Sequence, residues 1–131
     1  MPTQPTPQIV LTHYDWSLAR LKEALEKENT EYYRGAALQR FGLTYGLALK
    51  TIRAFAEEQG KTCPDEESCF EWVQEQQWLA KDADWKKMLD AYRKTQKRPT
   101  GEEAEKIYAE LWGYYELFKQ IRDSMANNND L

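Results

Sequence analysis

Hydrophobic positions recur at steps of three and four over most of this chain, and alternation with period two is absent. The most informative such stripe lies in Arg34 to Phe55, where Leu38, Phe41, Tyr45, Ala48, Ile52 and Phe55 fall on one side of a helix. Asn29 or Thr30 is placed to cap that helix, Glu31 suits its positive end, and Gly60 stands where a C-terminal glycine ends one. An earlier helix is predicted from about Asp15 to Lys27, with Trp16 or Tyr14, Leu18, Leu21 and Leu25 inward. Pro64 and the acidic run Asp65 to Glu67 open a third helix carrying Cys69, Phe70, Val73 and Leu79, with Trp72 on its flank. Asp82 or Asp84 starts a short fourth helix with Trp85, Met88, Leu89 and Tyr92 on one face. Thr100 and Glu103 have capping-box spacing before the last helix, whose stripe runs from Ala104 through Ile107, Leu111, Tyr114, Phe118 and Ile121 to Met125.

These elements predict an all-α protein, an antiparallel up-and-down bundle of four or five helices joined by short connectors. The predicted organisation is a flexible leader over residues 1–13, which holds three prolines, a bundle over 14–126 and a disordered tail over 127–131. Three glycines disturb the long helix. Gly35, Gly42 and Gly46 share a narrow angular band beside the stripe, and each costs about 1 kcal/mol relative to Ala in a helix interior. Such a band implies close helix packing or close approach of a ligand to the backbone.

Composition adds bounds. At 131 residues the chain can bury a core without staples, and a net charge of −4 argues against wholesale binding of nucleic acid or membrane. No run of apolar residues is long enough to span a bilayer. Within this acidic protein, Lys81 to Arg98 holds seven Lys or Arg against three Asp, a basic segment that a solvated helix face or an anionic partner would explain. Thirteen tyrosines and tryptophans exceed the need of one small core, so some of Trp72, Trp78, Trp112, Tyr114 and Tyr115 are expected at an interface, with a dimer or fixed partner implied.

Catalytic chemistry is hard to place. The six glycines lie singly, with no phosphate loop, and Asp82 and Asp84 read as capping residues. His13 is the only histidine, so neither a Ser-His-Asp nor a Cys-His arrangement is available, and no catalytic or metal-binding residue is assigned. Cys63 and Cys69 are read as two free thiols at a helix boundary, with a disulfide left open. Without a secretory leader, a reducing cytoplasm is the expected compartment. The polar residues left for binding are Arg34, Arg40, Thr44, Tyr45 and Lys50 on the long helix, and Arg93 after the fourth helix's aromatic stripe. Arginines there would hold phosphate or carboxylate, and Tyr45 would stack or hydrogen-bond.

The segment QRFGLTYGLALKTIRAF carries a recognisable pattern. Gln39, Arg40, Phe41, Thr44, Tyr45, Leu47, Ala48 and Lys50 resemble the signature of the nucleotidyltransferase substrate-binding protein family, and the likeness extends over about Leu18 to Met125. The resemblance implies a HEPN-like bundle similar to the C-terminal domain of kanamycin nucleotidyltransferase. It also implies a non-catalytic subunit, typically a homodimer, that pairs with a separate minimal nucleotidyltransferase and helps form the cleft for a nucleotide or small-molecule substrate. Magnesium and nucleotide would then be held by the partner subunit, and a two-component system of toxin–antitoxin type is one setting for such a pair. Where the family pattern carries two glutamates, this chain has Gly42 and Gly46. The alternative is a HEPN-type RNA-binding or ribonuclease toxin. That mechanism needs a histidine four to six residues after an arginine, and none follows Arg93, so RNA is disfavoured.

Overall fold

The computed structural model describes residues 6–129, and they form five helices with no strand among them: α1 (Pro7–Leu25), α2 (Glu31–Glu58), α3 (Glu66–Glu75), α4 (Trp85–Thr95) and α5 (Gly101–Asn129). The all-α bundle expected from the periodicity is the observed architecture.

The order of pairing follows from a few contacts. α1 and α2 run antiparallel, since Ser17 meets Thr44 while the Thr51 hydroxyl points to the Val10 carbonyl. α4 is antiparallel to α2, with Tyr92 against Tyr45 and Gln96 beside Gly42. α5 runs in the same direction as α2, as the pairs Arg34–Glu105, Phe41–Tyr114 and Tyr45–Phe118 show. α1, α2, α4 and α5 are therefore the up-and-down bundle, and α3 is a short insertion between α2 and α4.

The stripes point where their period requires. Phe41, Tyr45, Ile52 and Ala48 of α2 are fully buried among Leu21 and Tyr14 of α1, Phe70 of α3, Met88 of α4, and Leu111, Phe118, Ile121 and Met125 of α5. Each large apolar side chain enclosed this way contributes about 1.5–3 kcal/mol relative to exposure. Several polar groups inside are satisfied: the Tyr14 hydroxyl donates to the Phe118 carbonyl at 2.6 Å, and Ser17 and Thr44 share a hydrogen bond at 2.7 Å, whereas the buried Trp72 Nε1 has no hydrogen-bond partner among the described residues. Asp15 and Arg122 clasp α1 to α5 through two hydrogen bonds at the rim.

Caps settle most boundaries. Thr30, Asp65 and Asp84 accept hydrogen bonds from the backbone N–H three residues on, and Gly60 adopts φ +75° just past the end of α2.

Five expectations change. α1 begins at Pro7, not near Asp15, so residues 7–13 are helical and their Val10 and Leu11 belong to the core. Thr6 caps that helix and Pro7 occupies its first turn, where proline is preorganised. The part of the expected leader at residues 1–5 lies outside the described residues. At the other end α5 continues to Asn129, through residues 127–129 of the expected tail; residues 130–131 lie outside the description. α3 stops at Glu75, leaving Leu79 in the connector, because the chain turns at Gln77 with φ +64°.

The aromatic residues pack more deeply than expected. Trp72, Trp78, Tyr114 and Tyr115 are all buried, Trp72 and Trp78 edge to face; Trp112 is half exposed, and Trp16 and Tyr32 are the more exposed rings. The short α3 and its connector supply a second apolar surface that a plain four-helix bundle lacks, and the tryptophans fill it. Finally, Cys63 and Cys69 form a disulfide across the α2–α3 connector rather than remaining free thiols. The connector doubles back over the first turn of α3, which brings two cysteines six residues apart together. Cysteine usage therefore no longer supports a reducing compartment. Among the described residues no helix is long and apolar enough to cross a membrane.

Candidate functional site

The long helix α2 leaves open the side of the helix next to its stripe, with Leu38 at the boundary. Gly35, Leu38, Gln39, Gly42, Leu43, Gly46, Leu47 and Lys50 lie at steps of three, four, seven and eight along it, which is one strip of the surface. The end of α4 and the connector to α5 rise beside that strip with Tyr92, Thr95, Gln96, Arg98 and Pro99. Between them lies an open groove of about 940 Å³.

Its wall on the α4 side is fixed from beneath. Tyr92 stacks on the buried ring of Tyr45 with centroids 3.9 Å apart and planes 11° from parallel. The Tyr45 hydroxyl donates to Glu66 Oε1 at 2.9 Å, and Arg93 reaches Glu66 and Glu67 at 3.7 and 3.6 Å. Burial, then the hydrogen bond to Glu66, pushes the Tyr45 phenol well above its ordinary value, so it is a neutral donor. Beyond α4 the chain turns at Arg98, whose φ of +54° is a left-handed conformation held by its N–H to the Thr95 carbonyl.

The glycines give the groove its depth. A Cβ placed on Gly35 or Gly46 would meet nothing within 4 Å, and one on Gly42 would meet only Gln96 Nε2 at 3.5 Å. Among the described residues no helix packs closely on that band, so the glycines leave open space there. Their helical N–H groups are already engaged in the backbone ladder, so what they provide is room and shape.

The sequence-selected residues separate into groups. Lys50 joins the three glycines on the groove. Tyr45 lies one layer below, supporting Tyr92, and Arg93 belongs to the ion-paired cluster behind the same wall. Thr44 is buried between α1 and α2, bonded to Ser17 and to the Arg40 carbonyl at 2.9 Å. Arg34 joins Asn29 at 2.9 Å and Glu105 at 3.6 Å, where it ties α2 to α5. Arg40 sits one turn before Thr44, on the α1 side and away from the groove lining. Sequence reasoning passed over Leu43, Leu47, Tyr92, Gln96, Arg98 and Pro99 as groove residues. Leu43, an apolar residue off the stripe of its helix and 53% exposed in the structure, was a signal the sequence offered.

Among the described residues, no three His, Cys, Asp or Glu side chains stand close enough to hold a metal ion. The geometry offers a shaped receptacle on a rigid helix, with its polar groups at the rim. A family model described as nucleotidyltransferase substrate binding protein like matches residues 10–127, and the chain belongs to that family. No curated protein matches the chain.

Proposed function

We propose that this protein is the substrate-binding subunit of a two-chain nucleotidyltransferase, and that the groove along α2 receives the group to be modified. The observation that carries this reading is the coincidence of the groove with the signature helix: Gln39, Leu47 and Lys50 of the family-like segment line it. The catalytic chain would supply the magnesium-binding carboxylates and hold the nucleotide. The open side of the groove is where that chain would close over the acceptor.

A homodimer fits the same reading. Ile9, Trp16, Leu43 and Trp112 are exposed large apolar side chains on three different helices, available to such an interface. A two-component setting of toxin–antitoxin type is one context for such an assembly.

Affinity isolation of the tagged full chain from its own source, followed by size exclusion and mass spectrometry, tests the proposal. Stoichiometric recovery of a small chain with nucleotidyltransferase aspartates, and nucleotide transfer by the pair, is the expected result. A homodimer that never recruits such a chain, and binds RNA through Lys81 to Arg98 instead, would overturn it.

A further inference from the structure

We infer that the α2 groove selects an anionic ligand, one bearing phosphate or carboxylate oxygens, and rejects polycations. This rests on the groove being the acceptor site. Of the 131 residues 22 are acidic, yet no Asp or Glu lines the groove. Its ionic groups are Lys50 on α2 and Arg98 on the α4–α5 connector, which face the groove from its two sides.

Neither cation is neutralised. Lys50 and Arg98 have no ion-pair partner among the described residues, whereas Arg34, Lys87, Arg93, Lys94 and Lys106 all pair with carboxylates nearby. Lys50 and Arg98 are thus two unpaired cations in one cavity that no carboxylate lines. A smaller hollow of about 360 Å³ continues past Gly46 and Lys50 and adds Arg53, with Glu57 at its edge the first carboxylate met. Arg53 uses its Nε on the Cys63 carbonyl at 3.4 Å, which leaves its terminal nitrogens for other acceptors.

The remaining surface suits the rest of such a ligand. Gln39 and Gln96 offer amides on opposite sides, while Leu38, Leu43 and Leu47 provide an apolar floor beside the bare helix at Gly42 and Gly46. An anion carried on a compact body would place its oxygens at one of these cations and its body over the glycines that lie between them. A polyamine would meet two cations and no carboxylate, so its charge would remain uncompensated on leaving water.

Two-dimensional ¹H–¹⁵N NMR of the full chain tests this, since Gly35, Gly42 and Gly46 place reporter amides on the groove itself. Pyrophosphate and spermidine are titrated at constant ionic strength. Pyrophosphate is expected to shift the three glycine amides saturably, with affinity about fivefold weaker in Lys50→Gln, and spermidine to leave them unmoved. Gly46→Gln is expected to keep the response and Gly46→Glu to abolish it; the two side chains match in size and both leave the helix into open space, so charge separates them. Saturable shifts with spermidine and none with pyrophosphate would overturn the charge assignment while leaving the groove a binding site. Shifts confined to Lys81–Arg93, or no shift from either probe, would overturn the siting of an anion in the groove. Recovery of the catalytic chain would still judge the subunit reading separately.

Discussion

Reduction of the Cys63–Cys69 disulfide is expected to lower stability measurably and locally. The bond closes a loop across a sequence separation of six residues, from the α2–α3 connector into the first turn of α3. The chain-entropy relation for so short a loop gives about 2 kcal/mol at 25 °C. For a chain of 131 residues, an unfolding entropy of about 2.1 cal/mol/K per residue converts this into a fall in Tm of about 7 °C. Both cysteines are buried, so reduction leaves two small apolar thiols in place and the loss stays near the entropic value. Glu66, inside the loop, is the acceptor for Tyr45, so the wall of the groove at Tyr92 should loosen together with α3. Calorimetry with and without dithiothreitol measures the shift, and thiol titration in denaturant counts the cysteines. The double variant Cys63→Ala/Cys69→Ala should have a Tm that reductant does not move. Two titratable thiols in the unreduced protein, or identical Tm values with and without reductant, would refute the reasoning.

Three further outcomes follow from the packing. Thr44→Val should cost about 1–3 kcal/mol by chemical denaturation, because it strands the buried Ser17 hydroxyl that lies 2.7 Å away. Adding Ser17→Ala should recover part of that loss, and strictly additive effects would show that the pair does not interact. Gly46→Ala should raise stability by about 1 kcal/mol, since the new methyl meets nothing within 4 Å and the helix gains propensity; a destabilised variant would mean that the strip is covered. Alkaline unfolding is the third. Burial, aided by neighbouring carboxylates, raises the phenols of Tyr14, Tyr45, Tyr114 and Tyr115, with Tyr114 pushed up to about 12. A raised folded value means that stability is complete below about pH 10 and is lost as pH climbs towards and through 12. Ultraviolet titration should then show these phenols ionising late and together with loss of helix; early, independent ionisation would contradict their burial.

The fold was legible because a helix writes its buried face into the sequence at steps of three and four. Phe41, Tyr45, Ile52, Phe118 and Met125 could be assigned to the core from spacing alone, and the caps Thr30, Asp65 and Asp84 from residue type beside the apolar runs. The start of α1 was misplaced even though its signal was present. Thr6 followed by Pro7 is a cap and a first turn, but three prolines in twelve residues look like coil until Val10 and Leu11 are joined to the stripe that ends at Leu25.

The candidate site was only half legible. Gly35, Gly42, Gly46 and Lys50 share a face by the geometry of one helix, which sequence alone determines. Whether that face is covered or open depends on where α4 ends and how the chain turns at Arg98, and local spacing does not encode either. The same holds for the polar residues. Thr44 and Arg40 are adjacent in type to a binding helix, yet packing of α1 against α2 takes Thr44 into the core, while Arg93 is drawn to Glu66 and Glu67 on α3. By itself the sequence determined the helices, their inward faces and the family. Only the tertiary structure decided which outward residues meet across a groove, because that depends on distances between segments far apart in the chain and on which neighbours satisfy each charge.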